Sequence, residues 1–305
     1  MIKILLVRSE NAFLPEIDAY VKYFNKLSHF SAFDSSKIDG EYSIDDFDVI
    51  WEFKGIGGLK RKDKIIIHEY ASLSVGTLPS VKNYLKTKLN PIPNLRVFLN
   101  EEVKKEFKFR VDVDHCIRDM GIDESFLGFN ETKKEYDFVY VGSISKEREI
   151  DVLLNKYVES LPGKLCLIGD VEDDIYKRYK GYKDITFTGK LSYNEVPEVA
   201  SKAIYGINFI PNKYPYNKQT STKLLEYLTL GLKVITTDYQ WIRTFEDKHG
   251  CSFYKLSYNN LNFNIIDIKS HNYISEFIPQ DFLWEKVIGK SGIGEKILNM
   301  RGISK

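Results

Sequence analysis

Only three cysteines occur in the 305 residues, and Cys116, Cys166 and Cys251 stand far apart with no Cys-x-x-Cys pair. That excludes a disulfide framework and a cysteine zinc site, and it predicts a reducing compartment, the cytoplasm. No stretch reaches the roughly 20 apolar residues needed to span a bilayer. The apolar opening MIKILLV runs straight into Arg8, Ser9 and Glu10, too soon for the core of a secretion signal. Neither sign of charge is in excess: 44 Lys and Arg stand against 43 Asp and Glu. A net charge of +1 gives no bulk field for nucleic acid, so any bound anion must be held locally. Gly-x-Gly-x-x-Gly, P-loop and Gly-x-Ser-x-Gly motifs are absent, and no His/Cys cluster has metal-ligand spacing. Two Asp-x-Asp triplets, Asp46 to Asp48 and Asp112 to Asp114, are the remaining candidates for a manganese site, and 43 acidic residues make such triplets common by chance. No cofactor and no metal is expected.

What is present is an ordinary globular mixture, 43% hydrophobic and 29% charged, in a chain long enough for two domains. Ile2 to Val7 is an apolar run broken only by Lys3, the pattern of a buried parallel strand. Helical spacing over Leu14 to Leu27 follows, then short apolar runs at Val49 to Trp51, Ile65 to Ile67 and Val97 to Leu99, with a helix near Ser80 to Leu89. The charged segment Glu131 to Asp137, ETKKEYD, lacks periodicity and precedes a new strand at Phe138 to Val141. The linker is placed there, giving domains of residues 1–133 and 134–305, with a terminal helix around Phe282 to Ile288 that can pack back on the first domain.

The second half repeats the alternation. A helix near Ile150 to Tyr157 leads to strands at Lys164 to Ile168 and Ile185 to Thr188, a helix at Asn194 to Lys202 and a strand at Tyr205 to Ile210. A helix from Thr222 to Leu230 and a strand at Lys233 to Thr237 complete it. This predicts an α/β chain of two Rossmann-like domains facing each other across a cleft, with ligands at the carboxyl ends of the strands.

The most informative segment is QTSTKLLEYLTLGLKVITTD, Gln219 to Asp238. Thr220, Ser221 and Thr222 are good helix caps, and a helix start with Lys223 in its first turn favours a diphosphate. Glu226 lies one turn further on roughly the same face, placed to accept ribose hydroxyls; the plain alternative is a capped helix with an i, i+3 surface pair. In VYVGSISKEREIDVLL, Gly142 and Ser143 form a turn that admits a ligand, and Lys146 or Arg148 can neutralise phosphate, the planar guanidinium of Arg148 being better suited. IIIHEY ends a strand with His68, followed by Glu69. Lys82, Lys86 and Lys88, interleaved with Val81, Tyr84, Leu85 and Leu89, are read either as a solvated face or as a contact with anionic lipid.

The order Ser-Thr-Lys-x-x-Glu-Tyr-x-x-x-Gly-x-x-Val-Ile, Ser221 to Ile235, closely resembles the donor-site motif of GT-B glycosyltransferases, particularly glycosyltransferase family 4 and its relatives. The resemblance extends more loosely from Ile2 to Trp284. It implies a GT-B-type fold and a metal-independent hexosyltransferase-like enzyme. Such an enzyme would move a sugar from a nucleotide-sugar, a UDP-sugar, to a saccharide or lipid-linked acceptor in bacterial surface polysaccharide synthesis, lipopolysaccharide included.

Residue by residue, the resemblance assigns the ribose to Glu226, the diphosphate to Lys223, Ser221 and Thr222, and the phosphate turn to Gly142, Ser143, Lys146 and Arg148. The nucleobase falls to Gly189, Lys190 and Leu191 in FTGKLSYNEV, and the neighbourhood of the transferred sugar to His68. Glu69 is the general-base candidate with Glu10 its rival, and Arg8 and Glu10 are acceptor-side candidates. Many members of the family carry a second Glu eight residues before the ribose carboxylate, where this chain has Lys218. The partners implied are the donor, the acceptor and the inner face of the cytoplasmic membrane, and no nucleic acid. A sugar-nucleotide 2-epimerase of the same architecture and a non-catalytic sugar-nucleotide-binding partner protein are the alternatives.

Overall fold

The computed structural model describes residues 1–8, 14–129, 133–160 and 162–303. It divides into two compact units, residues 1–123 with 280–305 and residues 124–279.

The first unit is built on β1 (Ile2–Val7), β2 (Phe30–Asp34), β3 (Val49–Phe53), β4 (Ile65–Tyr70), β5 (Leu95–Phe98) and β6 (His115–Ile117), with α1 (Pro15–Asn25), α2 (Pro79–Leu89) and α3 (Glu101–Glu106) between them. The strands run parallel in the order β2-β1-β3-β4-β5-β6. The inner strands β4 and β5 are buried along their whole length, as strands covered on both faces are, whereas the edge strands β2 and β6 are only partly buried. Helix α1 starts with Pro15, whose missing N–H costs nothing at that position. It buries Ile17, Tyr20 and Phe24, and the Tyr20 and Trp51 rings lie 4.3 Å apart.

The second unit contains β7 (Tyr136–Val141), α4 (Ile150–Ser160), β8 (Leu165–Ile168), α5 (Asp173–Tyr179), β9 (Ile185–Gly189), α6 (Val196–Ala200) and β10 (Ala203–Asn208). It continues with α7 (Thr222–Thr229), β11 (Lys233–Thr237), α8 (Gln240–His249), β12 (Cys251–Ser252), β13 (Tyr254–Leu256), α9 (Ile265–Ser270) and β14 (Ile274–Ser275). Its main sheet is also parallel, in the order β13-β11-β10-β7-β8-β9. From β7 the chain builds outward through β8 and β9 on one side, then returns to β10 and builds outward on the other. The order therefore reverses between β7 and β10, and the carboxyl ends at such a reversal are where open α/β sheets bind ligands.

Two further helices, α10 (Trp284–Ser291) and α11 (Ile293–Met300), return to the first unit. There Trp284, Ile288, Ile293 and Ile297 join the core around α1. The backbone of Ile122 exchanges hydrogen bonds with Phe282 and Trp284, and Gly121 has to be glycine because a Cβ there would meet the Trp284 ring at 2.6 Å.

The unit boundary thus differs from a division at 133/134. Phe126 packs its ring 5.2 Å from Tyr193, which draws the chain from Glu124 onward into the second unit. Glu131 and Thr132 of the expected linker lie outside the described residues. The Asp-x-Asp acids have structural work: Asp46 closes a capping box with Ser43, Asp48 binds Lys3 N and Arg301, and Asp114 binds Lys296. Among the described residues no three His, Cys, Asp or Glu side chains form a group that could hold a metal.

Candidate functional site

Of the candidate residues of the second unit, Gly142 follows β7 and Ser221, Thr222, Lys223 and Glu226 lie on the segment after β10, the two strands between which the order reverses. β7 ends at Val141 and hands over to Gly142, whose φ of +134° is a conformation that side-chain-bearing residues rarely adopt. A side chain there would meet the Lys223 amine at 3.4 Å and the Tyr140 hydroxyl at 3.5 Å, so glycine keeps the space beside that amine open. Gly169, at the end of β8, has φ +144°, and a Cβ on it would collide with the Gly142 carbonyl.

Helix α7 is fixed from two directions. Its apolar residues Leu224, Leu225 and Leu228 are buried, and the Tyr227 ring covers Gly206 of β10, where a Cβ would stand 2.5 Å from the ring. The Tyr227 hydroxyl accepts the Val141 N–H at 2.8 Å, which ties α7 to the end of β7. Ser221 occupies the cap position, yet its hydroxyl does not cap the helix. It donates to Asn208 Oδ1 at 2.7 Å, and Asn208 Nδ2 donates on to Thr236 Oγ1 at 2.9 Å. The capping expected of Ser221 is replaced by this buried relay, because Asn208 at the end of β10 needs a donor and the hydroxyl is buried with it. No side chain caps the start of α7, so its first N–H groups remain available to an acceptor from outside.

Lys223 points into this corner. Part of its side chain reaches the surface, while its ammonium lies 4.0 Å from the Tyr140 ring centroid. Arg148 lies over the Tyr216 ring, 4.6 Å from its centroid. Among the described residues neither cation has a carboxylate within ion-pair distance, although the chain carries 43 acidic residues. Burial pushes the Lys223 amine down to about 7, and the Arg148 guanidinium acts in the same sense against the pull of Glu226. Two cationic groups held close without a counter-ion have the chemistry to attract an anion.

Glu226, one turn on, is 6% exposed and accepts the Tyr193 hydroxyl at 3.0 Å. Burial raises its carboxyl to about 7, opposed by that hydrogen bond and by Lys223.

A diphosphate bound beside Lys223 will restore the charge of the amine. At about pH 8, where a phosphate is fully ionised and a carboxyl titrating near 7 has already lost its proton, UDP binding should therefore take up protons. The uptake will show as an enthalpy that depends on the ionisation heat of the buffer, and a buffer-independent enthalpy would place the anion elsewhere.

The other expected site residues have the following places. Lys146 is exposed and pairs with Asp174 at 2.9 Å, while Arg148 turns to Tyr216. Ser143 is exposed, and its carbonyl accepts the Tyr140 hydroxyl. Thr222 opens α7 and is half-buried. Gly189 ends β9 with φ +74°, Lys190 beside it is exposed and Leu191 half-buried, at the carboxyl edge of the same sheet.

In the first unit the expectations are revised. His68 has no exposed surface; its Nε2 stands 3.2 Å from Glu52 Oε2, and burial lowers its pKa. Glu69 is 1% exposed, accepts the Trp51 indole N–H at 2.8 Å and pairs with the fully buried Arg118. A carboxylate closed to solvent, with a donor already on each oxygen, is out of reach of an acceptor hydroxyl, so Glu69 does not fit a general base. Arg8 is held by Asp34 at 2.8 Å. Glu10 lies outside the described residues.

Sequence reasoning did not single out Tyr140, Tyr193, Asn208 or Tyr216. Tyr193 stood within a quoted segment, but its partner Glu226 is 33 residues away, and only the fold joins them.

The family described as Glycosyl transferases group 1 matches residues 135–259. No curated protein sequence matches the chain. Among solved structures, AviGT4, a glycosyltransferase involved in avilamycin A biosynthesis, superposes with a TM-score of 0.68 at 11% identity over 99% of each chain. Anabaena HepE, in complex with UDP-glucose, does so with a TM-score of 0.65 at 9% identity over 99% of this chain and 100% of that one. Sucrose-phosphate synthase from Thermosynechococcus elongatus follows with 0.64 at 12% identity over 97% and 94%. At these identities the superpositions speak to fold, and the family match speaks to the segment that contains the site. Residues 135–259 match the glycosyl transferases group 1 family, in a chain of GT-B-type fold.

Proposed function

We propose that the enzyme transfers a hexose from a UDP-sugar to a hydroxyl of a saccharide or lipid-linked acceptor, without a metal, in the synthesis of a bacterial surface polysaccharide. The observation that carries this reading is the convergence of Lys223, Arg148 and the uncapped start of α7 on one corner, with Glu226 a turn beyond. Two cations and free N–H groups suit a diphosphate, and a carboxylate at that remove suits ribose hydroxyls. HepE supports the choice of base, since that structure holds UDP-glucose.

In the reaction the bond from the anomeric carbon to the β-phosphate oxygen breaks and UDP leaves with the electron pair. The acceptor oxygen forms the new bond to the anomeric carbon and releases its proton. Charge grows on the leaving diphosphate as the bond stretches, so Lys223 and Arg148 act where the transition state gains most. Gly189, Lys190 and Leu191 are proposed at the nucleobase. A soluble enzyme acting at the inner face of the membrane suits a lipid-linked acceptor; no helix among the described residues is long and apolar enough to cross a membrane.

Thermal-shift titration against nucleoside diphosphates and nucleotide-sugars tests the donor, because a ligand of the native state raises its apparent stability. UDP and UDP-sugars should stabilise most. Isomerisation of the nucleotide-sugar with no acceptor present would instead make the protein an epimerase. Binding without turnover across an acceptor panel would make it a binding partner. Since side-chain cations neutralise the leaving group, transfer should persist in excess chelator. Activity abolished by chelator and restored by manganese would overturn the metal-free mechanism.

A further inference from the structure

Helix α2 is turned inside out. Its one buried residue is Asn83, a polar side chain whose Oδ1 accepts the Ser74 N–H at 2.9 Å. Its apolar residues face water: Val81 is 48% exposed, Tyr84 57%, Leu85 37% and Leu89 57%, continued at the flanks by Leu78 at 66% and Ile92 at 63%. Val81, Leu85 and Leu89 recur at helical spacing and form one stripe, and Leu78 and Ile92 adjoin its two ends in the flanking chain. Elsewhere in this unit the apolar face of α1 points inward. An isolated exposed leucine is unremarkable, whereas a contiguous stripe on one helix marks a binding surface.

The charge on this face has one sign. No Asp or Glu occurs between Glu69 and Glu101, while Lys82 and Lys88 flank the stripe. Lys82 reaches the Val75 carbonyl at 3.0 Å, and the Lys88 ammonium sits 5.0 Å from the Tyr84 ring centroid. A second copy of the same face would set lysine against lysine. A bilayer carrying anionic headgroups accepts the lysines at its surface and the leucines just below, and it needs no groove to receive a convex helix.

We propose that α2 and its flanking residues Leu78 and Ile92 dock the protein on the surface of an anionic lipid bilayer. The docking gives the lipid-linked acceptor reading a physical surface. It rests on that reading only for its purpose, because adsorption requires neither donor nor acceptor.

The test is co-sedimentation of the full chain with vesicles of phosphatidylcholine alone and of phosphatidylcholine mixed with phosphatidylglycerol. The wild-type chain should partition onto the phosphatidylglycerol vesicles and come off as salt is raised. The triple variant Val81→Ser, Leu85→Ser, Leu89→Ser and the double variant Lys82→Gln, Lys88→Gln should each partition about tenfold or more weakly. Both should keep the wild-type melting temperature and UDP affinity, since none of these side chains belongs to the donor site. Equal binding to both vesicle types, or variants that bind as wild type, would overturn the proposal. So would a dimer in sedimentation velocity, lost in the triple variant, from a chain that ignores vesicles. Loss of UDP binding with vesicle binding intact would overturn the donor reading instead.

Discussion

Lys223→Ala and Arg148→Ala should each lower turnover by about tenfold or more, with a smaller loss of donor affinity. The asymmetry follows from charge: the diphosphate is anionic in the bound donor and more so as the glycosidic bond breaks, so a cation beside it stabilises the transition state more than the ground state. The two losses should not add. Lys223 and Arg148 already push against each other in the free protein, and removing one relieves the other. Lys223→Arg is a useful third variant, because it keeps the charge but must fit a fork into the space that Gly142 leaves beside the amine. Wild-type turnover in both alanine variants would mean that the diphosphate is bound somewhere else.

Glu226→Ala should weaken UDP binding by about tenfold to somewhat over a hundredfold, since hydrogen bonds to a charged group contribute about 1.5–3 kcal/mol. The Tyr193 hydroxyl, which donates to this carboxylate, would lose its partner, so part of any loss could come from local rearrangement. A double cycle with a 2′,3′-dideoxyribose analogue of UDP separates the two effects. It removes the partner hydroxyls without touching the protein. If Glu226 acts on the ribose, the mutation will cost little affinity for the analogue. Equal losses for UDP and the analogue would reduce Glu226 to a support of the helix.

The parts of this molecule legible in its sequence are those set by local pattern. Ile2 to Val7 and Lys233 to Thr237 form strands with the bounds expected of them, because each is a short run of mostly buried, mostly apolar residues. The segment from Ser221 to Glu226 reads as a helix start with a cation and a carboxylate one turn apart, and it forms one. The short strand Phe30–Asp34 was not distinguishable, because its buried side pairs Phe30 and Ala32 with an aspartate. That aspartate is buried with Arg8, 26 residues away, as its counter-charge and with Ser36 donating to its other oxygen.

The site shows the same division. That Lys223 and Glu226 share a helix face is a local fact. That Ser221 turns inward to Asn208, or that Tyr193 meets Glu226, depends on the meeting of distant strands. His68 and Glu69 read as strand-end residues open to a ligand. Lys54 and Glu52 on one side, and Arg118 and Trp51 on the other, close them in, and no feature of the IIIHEY segment announces those neighbours. Helix α2 is the converse: its amphipathic pattern is plain, but the residue it turns inward is Asn83, held by the Ser74 N–H, and its apolar residues face water.

The most direct test of the account is the crystal structure of the full chain with UDP bound. The diphosphate oxygens should lie about 3 Å from the Lys223 amine and from the first backbone N–H groups of α7, with the ribose hydroxyls on Glu226. A diphosphate bound away from α7, with Lys223 still resting on the Tyr140 ring, would contradict it.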